Sequence, residues 1–138
     1  MNKPLTLPRN LVQQLFHHAQ SQPDSEVCGL LSQSSSGALQ CHRIANVATN
    51  PQQAFVMEDK QLVKAMQAIR ENGAELFAIY HSHPTAPAIP SAKDLTEAGY
   101  PEAWHLIISL NTKGVLELRC WRLQNDAACE TELRIIED

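Results

Sequence analysis

The amino-acid sequence predicts a single domain of the mixed α/β class, spanning residues 1–138. A chain of 138 residues can build one domain with its own core and leaves little room for a second. Helical segments alternate with strand-like runs, and one run, residues 76–80, is apolar on both faces, as expected of a buried central strand. The chain has only five glycines and no glycine-rich phosphate loop, which excludes a doubly wound nucleotide-binding fold.

Apolar residues recur at helical spacing in two segments. The first helix is predicted over residues 8–20, and His17 and His18 are interpreted as surface residues. The second helix is predicted over residues 59–72, and a third, shorter helix over residues 91–99. The second helix is expected to carry four apolar residues on one face: Leu62, Val63, Met66 and Ile69.

Strands are predicted for the remaining apolar runs. Short clusters of Ser, Asn, Asp and Gly are interpreted as turns at residues 34–37, 111–114 and 125–126. The strands are expected over residues 27–32, 39–47, 54–57, 76–80, 104–110, 115–123 and 130–136.

The composition argues against two classes of function. Eleven basic against 15 acidic residues give a formal charge of −4, whereas a nucleic-acid-binding protein normally has a basic face. No apolar run approaches about 18 residues, and residues 1–8 lack the apolar core of a signal peptide. We therefore expect a cytoplasmic protein that binds neither nucleic acid nor membrane.

The cysteines are interpreted as reduced, mostly buried thiols. They are spread through the chain without a Cys-x-x-Cys pair, and a chain with this apolar content can build a core without disulfides. The four positions are Cys28, Cys41, Cys120 and Cys129.

One stretch of the chain carries the residues of a metal site. It reads His-Ser-His-Pro at residues 81–84, six further residues, and Ser-Ala-Lys-Asp at residues 91–94. Since residues i and i+2 of a strand point to the same face, His81 and His83 can direct both imidazoles at one point. The proline-rich loop returns to a helix with Asp94 in its first turn. Two imidazoles and a carboxylate are a suitable ligand set for zinc and leave a fourth position for water.

Each part of this stretch also has a purely structural interpretation. Ser-x-x-Asp before an apolar residue is a variant of the helix-capping box, so Ser91 and Asp94 could simply begin a helix. His81 and His83 could mark a strand end that meets solvent. The joint pattern, however, arises by chance in roughly one of 30,000 chains of this composition, which favours a metal site.

The complete pattern resembles the JAMM motif of the JAB/MPN metalloprotease family, in which a distant Glu precedes His-x-His-Pro, six residues and Ser-x-x-Asp. The spacing here matches without a gap. Residues 23–31 are also similar to the glutamate-bearing strand of the stand-alone prokaryotic members. The resemblance implies a JAB/MPN fold of the cytidine-deaminase-like type, with a central, mostly antiparallel sheet flanked by helices.

The resemblance also implies a role for each residue of the motif. His81, His83 and Asp94 would bind one Zn²⁺ per chain, with water as the fourth ligand. Glu26 would act as the general base and acid, and Ser91 would donate a hydrogen bond to the tetrahedral intermediate. Without the resemblance, the choice of base stays open among other carboxylates, namely Asp24, Glu58, Asp59, Glu75 and Glu97.

The reaction implied by the resemblance is hydrolysis of the peptide or isopeptide bond after the C-terminal Gly-Gly tail of a ubiquitin-like sulfur-carrier protein. Two alternatives stay open: a non-catalytic JAB/MPN-fold module that binds protein, and a zinc amidase that acts on small molecules. Two other zinc classes are excluded, because the sequence contains neither His-Glu-x-x-His nor Pro-Cys-x-x-Cys. The sequence predicts no particular oligomeric state.

Overall fold

The computed structural model describes residues 3–97, 99–111 and 115–137. Within these ranges the chain forms three helices and eight strands. In chain order they are β1 (Leu5–Pro8), α1 (Arg9–Ser21), β2 (Cys28–Gln33), β3 (Leu39–Ile44), α2 (Asp59–Glu71), β4 (Glu75–His83), α3 (Ala92–Thr96), β5 (Trp104–Ser109), β6 (Glu117–Gln124), β7 (Ala127–Thr131) and β8 (Leu133–Ile136).

Six strands form one sheet in the order β3-β2-β4-β5-β6-β7. Its neighbouring strands are antiparallel except for β4 and β5, which run parallel. β1 and β8 form a separate two-stranded parallel sheet. The prediction of a central, mostly antiparallel sheet flanked by helices is confirmed. The longest helices of the described ranges, α1 and α2, have 13 residues each, and no described helix has the length and apolar character needed to cross a bilayer.

Helices cover both faces of the large sheet, so the residues of β4 alternate between two cores. α1 packs on one face, where Leu15 and Tyr80 belong to the same buried cluster. α2 packs on the other face, where Ile69 and Ile79 share a second cluster. Because Tyr80 faces α1, the next residue of the strand, His81, faces the opposite side.

The core on the α1 side contains a buried polar network around Tyr80. The Tyr80 hydroxyl lies 2.7 Å from Nδ1 of His18 and 3.4 Å from Sγ of Cys41. Burial lowers the pKa of His18 to about 4, so the ring is neutral at pH 7 and shares a hydrogen bond with the hydroxyl. The interpretation of His18 as a surface residue is therefore wrong, since its side chain is only 7% exposed. His17 is exposed, as expected.

Gly29 of β2 allows the Tyr80 side chain to lie directly against the neighbouring strand. Gly29 and Tyr80 are partners in the β2–β4 register. A Cβ at Gly29 would lie 2.5 Å from the Tyr80 oxygen and 2.6 Å from the backbone carbonyl oxygen of His42. Both distances are shorter than van der Waals contact, so any larger residue would have to displace backbone.

The structure corrects several predicted elements. Residues 54–57 form no strand: a single bridge pairs Asn46 with Met57, and the backbone of the segment is bonded by the Asn46 side chain and by the N–H of Val47. The run at 130–136 divides between β7 and β8, which belong to different sheets. β1 was not predicted, and the third helix ends at Thr96 rather than at residue 99.

One prediction about a side chain is also wrong: Val63 of α2 is 56% exposed instead of lying on the buried face. Of the cysteines, Cys129 lies exposed on the edge strand β7 and Cys41 is half-buried. All four cysteines are free thiols, as predicted, and Cys28 and Cys120 are buried. The turn predicted at residues 111–114 falls mostly outside the described ranges.

Candidate metal centre

His81 and His83 lie at the carboxyl end of β4, on the face opposite α1. Both side chains are buried, and the residues are 2% and 3% exposed. β4 is hydrogen-bonded to β2 on one side and to β5 on the other, which fixes the backbone of this strand. The Nε2 atoms of His81 and His83 lie 3.1 Å apart. The alternation of a strand thus brings the two imidazoles to one point, as their spacing predicts.

Asp94 reaches both histidines from the first turn of α3. Its Oδ2 lies 3.1 Å from Nε2 of His81 and 3.2 Å from Nε2 of His83. The same oxygen accepts a hydrogen bond of 2.9 Å from the backbone N–H of Ser91. In return, Oγ of Ser91 accepts one of 3.1 Å from the N–H of Asp94, which completes a capping box. The capping interpretation and the metal-site interpretation are therefore compatible, because both use the same carboxylate.

Hydrogen bonding fixes the tautomer of His83. Its Nδ1 lies 2.8 Å from the carbonyl oxygen of Pro87, which can only accept, so Nδ1 carries the proton. A neutral His83 then presents a lone pair at Nε2, and this lone pair faces the Asp94 carboxylate at 3.2 Å. Two acceptors at this distance repel each other unless a cation, either a proton or a metal ion, lies between them.

In the metal-free protein a proton can take this place. Burial lowers the pKa of His83, but the hydrogen bonds to Asp94 and Pro87 and the charges of Asp94 and Glu26 together outweigh burial and raise the pKa above its usual value. Burial raises the pKa of Asp94, yet hydrogen bonds from the two histidines hold it well below its ordinary range. For His81 burial prevails, and its pKa is lowered. A metal ion can displace the shared proton, because metal ligands bind in their deprotonated forms.

The three ligand atoms have a spacing that suits zinc. Their separations are 3.1 Å (His81 to His83), 3.1 Å (His81 to Asp94) and 3.2 Å (His83 to Asp94). Tetrahedral zinc, with bonds of about 2.0–2.1 Å, places its ligand atoms about 3.3 Å apart. Two imidazole nitrogens and a carboxylate oxygen are also the donor types of catalytic zinc sites that keep one position open. The residues present therefore fit a zinc ion.

Glu26 lies beside the two histidines, just before β2. Glu26, His81 and His83 each offer a ligand atom, all within 4.8 Å of one another. Glu26 is 4% exposed, and its Oε1 has no hydrogen-bond partner among the described residues. Burial raises the pKa of this carboxyl to about 7, and the charge of His83 opposes the shift. Asp94 completes a tighter set with the histidines than Glu26 does, so the geometry favours Asp94 as third ligand and leaves Glu26 available for proton transfer.

Hydrogen bonds that the sequence analysis missed hold Glu26 in place. Oγ of Ser82 accepts from the N–H of Val27 at 2.8 Å. Nδ2 of Asn46 donates to the carbonyl oxygen of Glu26 at 2.9 Å, and the N–H of Glu26 donates to the carbonyl oxygen of Pro51 at 2.7 Å. Of these residues, only Ser82 could have been suspected from the sequence, because it lies between the two histidines. The contacts of Asn46 and Pro51 depend on how distant segments of the chain pack.

A cavity of about 250 Å³ lies next to the metal centre and is lined in part by His81 and Asp94. Its wall is mostly apolar and includes Phe55, whose ring stacks on that of His81. His105 of β5 lines the cavity from the sheet. The cavity is large enough to receive a side chain or a short piece of extended chain beside the ligand atoms.

Comparison with known proteins places this arrangement in a family. Residues 8–124 match the family described as prokaryotic homologs of the JAB domain. Desampylase of Haloferax volcanii is 34% identical over 93 residues, which cover 66% of this chain and 67% of that protein. A probable TtuB-protein conjugate cleaving protease of Thermus thermophilus is 35% identical over 97 residues, which cover 68% of this chain and 63% of that protein. The matched segment thus spans about two thirds of each of these two relatives.

Other similarities extend over nearly the whole chain. The CysO-cysteine peptidase of Mycobacterium tuberculosis is 25% identical over 134 residues, which cover 96% of this chain and 92% of that protein. A solved structure from Desulfitobacterium hafniense has 27% sequence identity and a TM-score of 0.83, covering 97% of this chain and 94% of that one. A JAB1/MPN domain protein from Archaeoglobus fulgidus, at 20% identity and a TM-score of 0.58 over 98% of this chain and 100% of that one, shows the same fold. The chain belongs to the prokaryotic JAB family, the stand-alone branch of the JAB/MPN proteins.

Proposed function

We propose that the chain is a zinc-dependent metallopeptidase that hydrolyses the peptide or isopeptide bond after the C-terminal tail of a ubiquitin-like protein. One observation carries the proposal: Nε2 of His81, Nε2 of His83 and Oδ2 of Asp94 converge within 3.2 Å of one another. The carboxyl of Glu26 lies buried beside them with an oxygen that has no partner in the described part of the chain. A buried unpaired oxygen destabilises a fold, and a role in proton transfer explains its position here.

The names of the relatives support this substrate class. They are a desampylase, a TtuB-protein conjugate cleaving protease and a CysO-cysteine peptidase. Each name describes the cleavage of a bond made to a named protein or modifier. This agrees with the resemblance to the JAMM motif, and we propose a ubiquitin-like sulfur-carrier protein with a Gly-Gly tail as the substrate of this chain.

Each residue of the proposed site has a separate task. Zinc, when bound, would lower the pKa of a water molecule to roughly 7 and polarise the scissile carbonyl. Glu26 would take up a proton at Oε1 and deliver it to the leaving amine. Oγ of Ser91 already accepts from the N–H of Asp94, so its own proton can be donated to the carbonyl oxygen of the substrate.

The first test is the zinc content of protein purified without added metal, measured by elemental analysis. We expect about one zinc per chain, because the three ligand atoms form one complete set. If the protein contains no zinc and takes up none when zinc is supplied, the metallopeptidase proposal is refuted. A protein-binding module of the same fold would then be the better description.

The second test is cleavage of defined substrates. A ubiquitin-like carrier ending in Gly-Gly would be joined to a single amino acid by a peptide bond, or to a lysine side chain of a second protein by an isopeptide bond. We expect cleavage after the second glycine by the wild-type protein and cleavage at least about 10²-fold slower by Glu26→Gln, with a carrier ending in Val-Val as the substrate control. If zinc is bound and neither substrate is cleaved, the proposed substrate class is wrong, and small amides become the next substrates to try.

We also propose that residues 1–138 act as one domain, because the two sheets share a core. Leu7 of β1 belongs to the same buried cluster as Tyr80 of β4 and Leu106 of β5. For its location we propose the cytoplasm, in agreement with the four free thiols.

A further inference from the structure

The two histidines of the metal centre are oriented by different means. Nδ1 of His83 donates to the carbonyl oxygen of Pro87 at 2.8 Å, the usual way in which a metal-binding imidazole is held. Nδ1 of His81 is buried and has no hydrogen-bond partner within the described ranges. Apart from the contacts of its Nε2 with the other ligand atoms, the orientation of the His81 ring therefore depends on packing.

Phe55 supplies this packing. Its ring and the ring of His81 are stacked, with centroids 4.5 Å apart and planes inclined by 27°. The distance is at the short end of the range for interacting aromatic rings, and the near-parallel planes leave a large area of contact. Since Phe55 also lines the cavity, its ring separates one face of His81 from the space next to the site.

Phe55 is itself held in position, although it belongs to no strand. Oδ1 of Asn46 accepts from the N–H of Val56 at 2.9 Å, and Nδ2 of Asn46 donates to the carbonyl oxygen of Ala54 at 3.0 Å. These bonds fix the residues on both sides of Phe55. The same Nδ2 donates to the carbonyl oxygen of Glu26. One amide thus holds both the proposed base and the ring that packs on His81.

We propose that Phe55 is a positioning residue of the metal centre: its ring fixes the orientation of the His81 imidazole and thereby raises the affinity of the site for zinc. The inference rests on the proposed metal site. Without the Phe55 ring, the His81 side chain would gain freedom to rotate toward the cavity, and the entropy lost when metal binding orders it would weaken binding. Replacing a residue that orients a metal-binding histidine typically weakens metal binding about 10- to 100-fold.

The experiment measures the zinc affinity of five proteins, namely the wild type, three Phe55 variants and one control variant, by competition with a chromogenic chelator. We expect Phe55→Ala to bind zinc about 10-fold more weakly than the wild type. Phe55→Leu, which keeps apolar volume and loses the ring, should be weakened similarly, whereas Phe55→Tyr, which keeps the ring, should stay within about threefold of the wild type. If Phe55→Ala fails to fold, the comparison of Phe55→Leu with Phe55→Tyr decides the question.

Leu62→Ala is the matched control, because Leu62 lines the same cavity and makes no ring contact with His81. This variant should bind zinc as the wild type does. The visible absorption spectrum of the cobalt-substituted proteins gives a second measurement: it should change in Phe55→Leu and remain as in the wild type in Phe55→Tyr and Leu62→Ala. Equal zinc affinities and equal cobalt spectra for Phe55→Leu and the wild type would overturn the inference and leave the proposed function intact. A wild-type protein that binds no metal would instead refute the proposed function.

Discussion

The stability of the metal-free protein should fall between pH 7 and pH 5 because of His18. Its pKa is lowered from 6.5 to about 4 by burial against the Tyr80 hydroxyl, so the unfolded chain takes up a proton at a higher pH than the folded chain. The stabilisation is complete above pH 6.5 and is lost as the pH falls toward 4. The shift corresponds to about 3 kcal/mol in total, of which about 2 kcal/mol is lost between pH 7 and pH 5.

Urea unfolding of the wild type and of His18→Gln at pH 7, 6 and 5, with EDTA present, measures this contribution. Glutamine can still accept from Tyr80 and does not titrate, so the wild type should lose about 2 kcal/mol more than the variant over this range. His17→Gln, on the exposed side of the same helix, is the control: the charge of His17 is the smallest of the three causes that lower the His18 pKa, so this variant should follow the wild type closely. If the wild type and His18→Gln lose stability in parallel, His18 is not held neutral in the folded protein and the reasoning fails.

The remaining predictions concern the site and its support. Glu26→Gln should lower kcat by about 10²- to 10⁴-fold and leave the zinc content unchanged; appreciable turnover in this variant would assign the base elsewhere. His83→Ala should lose both zinc and activity, and a normal zinc content would remove the residue from the ligand set. Ser91→Ala should lose about 1 kcal/mol of stability with its helix cap and about 10²-fold or more in kcat. Ser91→Asp, which caps a helix but offers no hydroxyl proton, should recover stability without recovering rate. Gly29→Ala should lower the free energy of unfolding by about 1–3 kcal/mol because its Cβ would collide with Tyr80, and unchanged stability in urea would contradict that close approach.

The parts of the site that follow local rules could be predicted from the sequence. Strand alternation places His81 and His83 on one face, and the capping pattern places Asp94 in the first turn of a helix. Glu26 could be chosen only through the family resemblance, because its position depends on the antiparallel register that sets Cys28 opposite His81. No short pattern in the sequence encodes that register.

Phe55 illustrates a different limit. Residues 54–57 have the composition of a strand, yet they form only an isolated bridge, and the side chain of Asn46 makes two of the hydrogen bonds to their backbone. A polar residue in a loop gives no sign of which distant backbone it will bond. The stacking of Phe55 on His81 therefore appears only when the chain is folded.

The same limit applies to the fold: elements with a local sequence pattern could be predicted, and those that depend on distant pairing could not. Apolar periodicity located α1 and α2 to within one or two residues. β1 and β8 have four residues each and pair with one another from opposite ends of the chain. Such short runs show no clear strand pattern in the sequence. His18 lies three residues after buried Leu15, which places it on the buried face of α1; its polarity led to the wrong interpretation.

The carboxylate of Asp94 links the supply of metal to the lifetime of the protein. α3 has five residues, too few to be stable without outside support, and the oxygen that closes its capping box also contacts both histidines. Metal binding at this oxygen would therefore stabilise the helix, and loss of metal would favour its local unfolding. In a cell short of zinc, the segment between β4 and β5 would open more often to proteases, so that the inactive form would be degraded faster than the active one.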